Sequence, residues 1–158
     1  SDLMRKKLGL LESNDQDQHL LQEILDLMQG DNVDYTIFFR RLCDFSTAEI
    51  SQNKNIRDLF MQREKFDTWA IKYSARLNLE HDNDQQRAIK MKQVNPKYIL
   101  RNYMAEIAIK KAEDEKDYSE IDKLFKLLQN PFTEQPENEH YAGFPPAWAE
   151  KISVSCSS

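Results

Sequence analysis

The side chains able to do chemistry are few and scattered. His19, His81 and His140 each stand beside an acid or an amide and far in sequence from one another. A catalytic imidazole needs a partner that orients it or shares its proton, so the spacing favours three surface histidines. Arg101-Asn102 lies in the most apolar stretch of the chain and could meet an anion, although an arginine there is more at home pairing with a carboxylate across a helix contact. Arg40-Arg41 reads as a solvated face with one ion pair. Asp82-Asn83-Asp84 has the start of a calcium loop without its glycine or its distal glutamate. Carboxylates are abundant, but none is set in an apolar pocket that would raise it towards acid catalysis. Cys43, on an amphipathic segment, reads as a small core hydrophobe. Cys156 stands near the end of the chain, after Ile152-Ser153-Val154, where an accessible thiol could exchange with a disulfide or capture a metal. The residues alone leave Cys156 open between an incidental thiol and a redox group. It is the single redox candidate, and no catalytic, cofactor-binding or metal-ligating residue is expected in this chain.

The glycines exclude more. Gly9, Gly30 and Gly143 lie far apart, whereas a phosphate cradle needs two or three close together so that backbone can approach the phosphates. No nucleophile elbow, kinase glycine loop or His-Glu-x-x-His pair occurs. Two widely separated cysteines make neither a disulfide framework nor a zinc spacing and suit a reducing compartment. With 22 basic against 27 acidic residues the net charge is −5, which argues against a nucleic-acid partner. The composition, 40% hydrophobic and 31% charged, is that of an ordinary globular domain. Its 158 residues are enough for one core. No apolar run could span a bilayer, so no membrane association is expected. Ser1-Asp2-Leu3-Met4-Arg5 is not a signal peptide, and Met4 so close to a non-methionine start suggests a piece of a longer chain.

The elements that must position these residues are helical. Leu20, Leu21, Ile24, Leu25 and Met28 form one apolar stripe, with Gly30 expected as its left-handed cap. Tyr35, Phe38, Phe39, Leu42 and Phe45 form a second, with Arg40 and Arg41 opposite. Ser46 and Glu49 have capping-box spacing. Phe66, Trp69, Ala70, Tyr73 and Leu77 make the clearest core-facing stripe. Residues 82–93 are polar, with Ala88, Ile89 and Met91 as apolar anchors. Asn95-Pro96 reads as a helix start, leading into a nearly all-round apolar helix from Tyr98 to Ala112 that should be central to the core. Asp117 and Glu120 should cap a last helix with Ile121, Leu124, Phe125 and Leu128 on its face. No β-alternation of useful length appears. The expectation is an all-α fold, with about five or six packed helices over residues 15–129. Residues 131–158 hold four of the five prolines together with Phe132, Tyr141, Phe144 and Trp148. They read as an irregular strap whose rings dock on some surface. The expected division is a helical domain over 1–129 and an extended strap over 130–158 ending in Cys156.

Several motifs resemble one family. Pro145-Pro146-Ala147-Trp148-Ala149 and Val154-Ser155-Cys156-Ser157-Ser158 are similar to the C-terminus of the selenoprotein O / YdiU family. So are Asn95-Pro96-Lys97-Tyr98-Ile99-Leu100-Arg101-Asn102-Tyr103 and Asn130-Pro131-Phe132. Met4-Arg5-Lys6-Lys7-Leu8-Gly9-Leu10 and Asp34-Tyr35-Thr36-Ile37-Phe38-Phe39-Arg40-Arg41-Leu42 extend the likeness to the front. It is least specific between about 46 and 65.

The resemblance implies a helical, bundle-like C-terminal region of a kinase-like fold. Family members bind ATP in a flipped orientation, with Mg²⁺ or Mn²⁺, and transfer AMP to Ser, Thr or Tyr hydroxyls of proteins. Their nucleotide and metal residues lie in the N-terminal two-thirds and have no counterpart here, so this piece alone should be inactive. Its expected partners are the upstream kinase-like domain and, for the parent, protein substrates. Animal members carry selenocysteine where Cys156 stands, and in bacterial members that cysteine can pair with one in the kinase-like region. The expected location is cytoplasmic if the chain is bacterial, since the eukaryotic members are mitochondrial. The competing reading is a helical interaction module with no catalytic parent.

Overall fold

The helix over Arg63–Leu77 forms because its apolar residues recur at three and four, and it is held by what that face buries. In the computed structural model, which describes residues 1–151, Phe66, Trp69, Ala70, Tyr73 and Leu77 are each at most 2% exposed. The chain groups into two compact units, Ser1–Asn95 and a second beginning at Pro96. The change in composition near residue 130 therefore falls inside the second unit. Among the described residues there is no strand. The all-α expectation holds.

The first unit contains α1 (Asp2–Lys7), α2 (Asp17–Gly30), α3 (Tyr35–Leu42), α4 (Lys54–Arg57), α5 (Arg63–Leu77) and α6 (Asp84–Lys92), with a 3-10 turn over Ile50–Asn53. Helices α2 and α5 pack together, and the Trp69 indole N–H donates to the Leu20 carbonyl at 2.9 Å. A chain of rings fills the centre: Phe38 meets Phe60 edge-on, Phe60 stacks on Phe66, and Trp69 stacks on Tyr73 at 4.6 Å. The Tyr73 hydroxyl, fully buried, donates to the Leu8 carbonyl at 2.7 Å. That bond satisfies a group whose burial would otherwise be expensive.

The second unit contains α7 (Asn102–Glu115) and α8 (Ser119–Leu128), which pack as a helical hairpin, then 3-10 turns over Pro136–Ala142 and Ala147–Lys151. Lys116 makes the tight corner with a left-handed φ of 55°. The Asp117 carboxylate accepts from the Ser119 amide at 3.0 Å as a local turn, but the residue flanking α8 is Tyr118, which makes no side-chain cap bond, so the expected capping box does not form. Glu120 does not reciprocate, because it accepts the Tyr141 hydroxyl at 2.6 Å instead.

Four local expectations need correction. Helix α7 begins at Asn102, not at Asn95-Pro96: the Asn95 side chain is engaged elsewhere, and the amides of Lys97 and Tyr98 both donate to the Pro131 carbonyl. Nor is α7 central. Met104 and Ala108 are buried, but Ile107 is 37% and Ile109 51% exposed, because one neighbouring helix covers only one face. Gly30 is the last residue of α2 and not its left-handed cap; Asn32 takes the positive φ, 53°. Finally, seven α-helices fall within residues 15–129 among the described residues. The four-residue α4 is too short to show a period.

The described part of the strap packs within the second unit. The Tyr98 hydroxyl donates to the Gln135 carbonyl and accepts from the Gln135 amide. Gln135 Nε2 donates to the carbonyls of Leu127 and Asn130 at the end of α8, which also accept from the Asn130 and Thr133 amides. Tyr103 and Trp148 meet edge-on at 5.9 Å.

Candidate functional site

Buried polar side chains of the first unit gather where α1, α3 and the end of α6 come together. Asn95 is fully buried, and its amide Nδ2 donates to the Lys7 carbonyl at 3.1 Å and towards Cys43 Sγ at 3.7 Å. Lys7 Nζ donates to the Val94 carbonyl at 3.1 Å and to Asn95 Oδ1 at 3.4 Å. Arg40, 9% exposed, donates to the carbonyls of Lys92 and Asn95 at 3.2 and 3.0 Å. Those carbonyls lie at the end of α6, where helix geometry leaves acceptors without amide donors. The expectation of a solvated Arg40 is thus corrected: the side chain caps a neighbouring helix. Arg41 Nη1 donates to the Asn55 carbonyl at 2.6 Å.

Electrostatics in this corner favour inert groups. Burial pulls the Lys7 ammonium below its ordinary value. Burial also pushes the Cys43 thiol up to about 11, against the opposing pull of the Asn95 hydrogen bond. Cys43 is therefore a protonated thiol near neutrality. Its Sγ–H donates to the Phe39 carbonyl one turn back.

A second knot holds the segment between α1 and α2. Arg76 Nε donates to Asp17 Oδ1 at 2.7 Å and Nη2 to the Glu12 carbonyl at 2.7 Å, while Glu80 Oε1 lies 3.1 Å from Nη2. Glu80 also accepts from the amides of Leu11 and Glu12. A third knot joins α6 to the residues after α3. Arg87, 3% exposed, donates to the Phe45 carbonyl and to Asp84, both at 2.7 Å, and Asp84 accepts from the Thr47 amide and hydroxyl. Burial alone would raise the Asp84 carboxyl, but the bonds from Thr47 and Arg87 outweigh it and hold it below the usual range.

A cleft of about 410 Å³ opens beside this third knot, lined by Thr47, Glu80, Asp82, Asp84 and Arg87 among others. Its carboxylates are already engaged: Glu80 and Asp84 as above, Asp82 by Lys90 at 2.8 Å. Asn83 forms a full capping box with Gln86 and so is spent on starting α6. Among the described residues no group of three or more His, Cys, Asp or Glu could hold a metal ion. The described residues thus offer no donor set that fits Mg²⁺ or Mn²⁺, and no chemical step through a metal is derived for this chain.

The three histidines stay apart. His19 approaches Glu23 at 3.8 Å and His81 approaches Glu12 at 3.4 Å, both with side chains more than four-fifths exposed. The His140 ring lies on Tyr141. Arg101 is buried at the start of α7, next to Asn102. Cys156 lies outside the described residues. Sequence reasoning missed Arg76, Arg87 and Asn95 as buried pins. The first two carried a signal: Arg76 follows Tyr73 by three on the core face of α5, and Arg87 precedes Met91 by four on α6.

Residues 1–129 match the family described as protein adenylyltransferase SelO. A protein named protein nucleotidyltransferase YdiU from Herminiimonas arsenicoxydans is 48% identical over 158 residues, all of this chain and 31% of that relative. One of the same name from Burkholderia multivorans is 49% identical over 155 residues, 98% of this chain and 30% of the relative. The chain thus spans about a third of the length of the relatives it matches. No helix among the described residues is long and apolar enough to cross a membrane. Likeness at this level, running through the Asn95 corner and both of the other arginine-centred knots, makes the chain a member of the SelO family.

Proposed function

We propose that this chain is the C-terminal, supporting part of a protein adenylyltransferase that moves AMP from ATP to Ser, Thr or Tyr hydroxyls of proteins, using Mg²⁺ or Mn²⁺. The carrying observation is that the whole chain aligns with proteins named nucleotidyltransferases while filling only 31% of one of them. Nucleotidyl transfer depends on cations and metal positioned round the phosphates. On this reading the kinase-like region upstream supplies them, and the present helices hold that region in working geometry. Three arginines support the assignment: Arg40 and Arg76 are directed at internal carbonyls and carboxylates, and Arg87, although it lines the cleft, is spent on the Phe45 carbonyl and Asp84. The parent would work in the bacterial cytoplasm, with proteins as substrates and no nucleic acid or membrane partner.

Cys156 would be its redox element. In the full protein its thiol and one upstream thiol would each lose a proton and together two electrons to a peroxide, whose O–O bond breaks to give two waters, or one water and one alcohol from an organic peroxide, as the disulfide S–S bond forms. Cys43 is a poor alternative partner, since it is fully buried and its pKa of about 11 keeps it from forming the attacking thiolate.

The test is label position. Full-length protein given ATP labelled in the α-phosphate should mark protein, and ATP labelled in the γ-phosphate should not. The isolated chain should mark nothing with either. Entry of the γ-label would make the parent a kinase and overturn the reading; α-label transfer by the isolated chain would overturn its supporting role.

A further inference from the structure

Helix α8 is apolar over a wider arc than its own unit covers. Leu124 and Leu127 are 6% and 1% exposed against Tyr98, Met104 and Ala108. Beside them Ile121 and Phe125, one turn apart, are 39% and 67% exposed, and Tyr118, just before the helix, is 56% exposed. Positions 118, 121, 125 and 128 follow the three-four spacing of a helix seam, with Leu128 joining the stripe to the buried core. Scattered exposed apolar residues need no explanation, but a row of this kind does. On its far side the row is bounded by Asp122, Lys126 and Gln129, the polar rim of a protein contact.

We infer that Tyr118, Ile121 and Phe125 form the seat on which α8 receives the part of the parent protein lying outside these 158 residues. This rests on the reading above that the chain is a piece of a longer protein. The occupant follows from length: the chain is 31% and 30% of its relatives, so more than two-thirds of such a protein is polypeptide tethered to this surface. A tethered partner meets the seat at an effective concentration on the order of millimolar, which a second free copy does not reach. A short row of side chains is also closer to a contact within one chain than to a stable dimer, which needs roughly 800 Å² on each side.

Single cysteines read the seat in the full-length protein. Phe125→Cys and Ile121→Cys are treated with a maleimide, and the rate at each site, resolved by peptide mass, is divided by the rate in the same protein unfolded in guanidinium. Both should react roughly tenfold or more slowly when folded, at every protein concentration. His81→Cys, at a side chain 90% exposed, should show no such protection. Tyr118→Cys repeats the reading should Phe125→Cys not fold. Reaction at the unfolded rate overturns the seat; protection that grows with protein concentration assigns it to a second copy and equally overturns it. Transfer from α-labelled ATP, assayed on the same preparation, separates the two proposals. Protection without transfer removes the activity and keeps the seat, and transfer without protection does the reverse.

Discussion

Arg76 shows how much can depend on one side chain. It neutralises Asp17 and Glu80, whose side chains are only 9% and 5% exposed, and it holds the Glu12 carbonyl. Arg76→Met keeps much of the packing and strands two buried carboxylates, so it should lower stability by roughly 3–5 kcal/mol, read from the urea midpoint. Cys43 makes a pH prediction of definite sign. Its folded pKa, about 11, lies above its ordinary value near 9, so the unfolded chain gives up this proton first. Stability from this group is complete below about 9 and is lost as pH rises through about 11. Urea unfolding should show that decline, and Cys43→Ala should flatten it over that window. Tyr35, Tyr73 and Tyr141, whose hydroxyls burial also raises, contribute to the decline that remains in the variant. Cys43 was legible as a core residue from its amphipathic segment, whereas Arg76 carried only the hint of its spacing from Tyr73. A buried arginine and a solvated one have the same letter, and only the carboxylates brought to Arg76 from α2 and from its own next turn distinguish them.

Among the helices, Trp69 and Gly9 are the sharpest tests. Trp69 is fully buried and donates its one hydrogen bond to Leu20, so Trp69→Ala should cost about 3–5 kcal/mol. A calorimetric transition unmoved by that change would mean α2 and α5 do not form the core described. Gly9 ends the turn after α1 with φ of 76°, and a Cβ there would stand 2.8 Å from Arg87 Cδ and Met91 Sδ. Gly9→Ala should therefore destabilise by about 1–3 kcal/mol in the same experiment, through strain and overpacking together. The α5 stripe was plain in the sequence because four large residues and Ala70 recur at three-four spacing, the period of a helix. The tightness at Gly9 was not legible, since the side chains that leave no room for a Cβ there come from Arg87 and Met91, about eighty residues away.

At the scale of the whole molecule, the two units should differ in local stability. The first buries a continuous cluster including Phe38, Phe60, Phe66, Trp69 and Tyr73, whereas the second buries little beyond Tyr98, Met104, Ala108, Leu124 and Leu127. Amide exchange measured on this chain should find α7 and α8 opening well before α5, in keeping with their thinner cover. In the full-length protein, mild oxidant should pair Cys156 with an upstream cysteine and change AMP transfer, and Cys156→Ser should abolish that response. Peptide mapping that finds Cys156 unpaired, with activity alike in both proteins, would leave it as merely the end of the strap.

Helical class, the main stripes and family membership were set by the sequence alone, because apolar periodicity and motif order are local and survive any arrangement of the pieces. The same holds for the absence of a clustered-glycine phosphate loop. Other features waited for tertiary structure: that the chain divides between Asn95 and Pro96, that Asn95 is a buried pin and not a helix cap, and that α7 is covered on one face only. Each depends on which distant group fills a given space. The Lys7 carbonyl claims the Asn95 amide and the Pro131 carbonyl claims the amides of Lys97 and Tyr98, so the local capping preference of Asn-Pro is overridden by partners that no window of neighbouring residues contains.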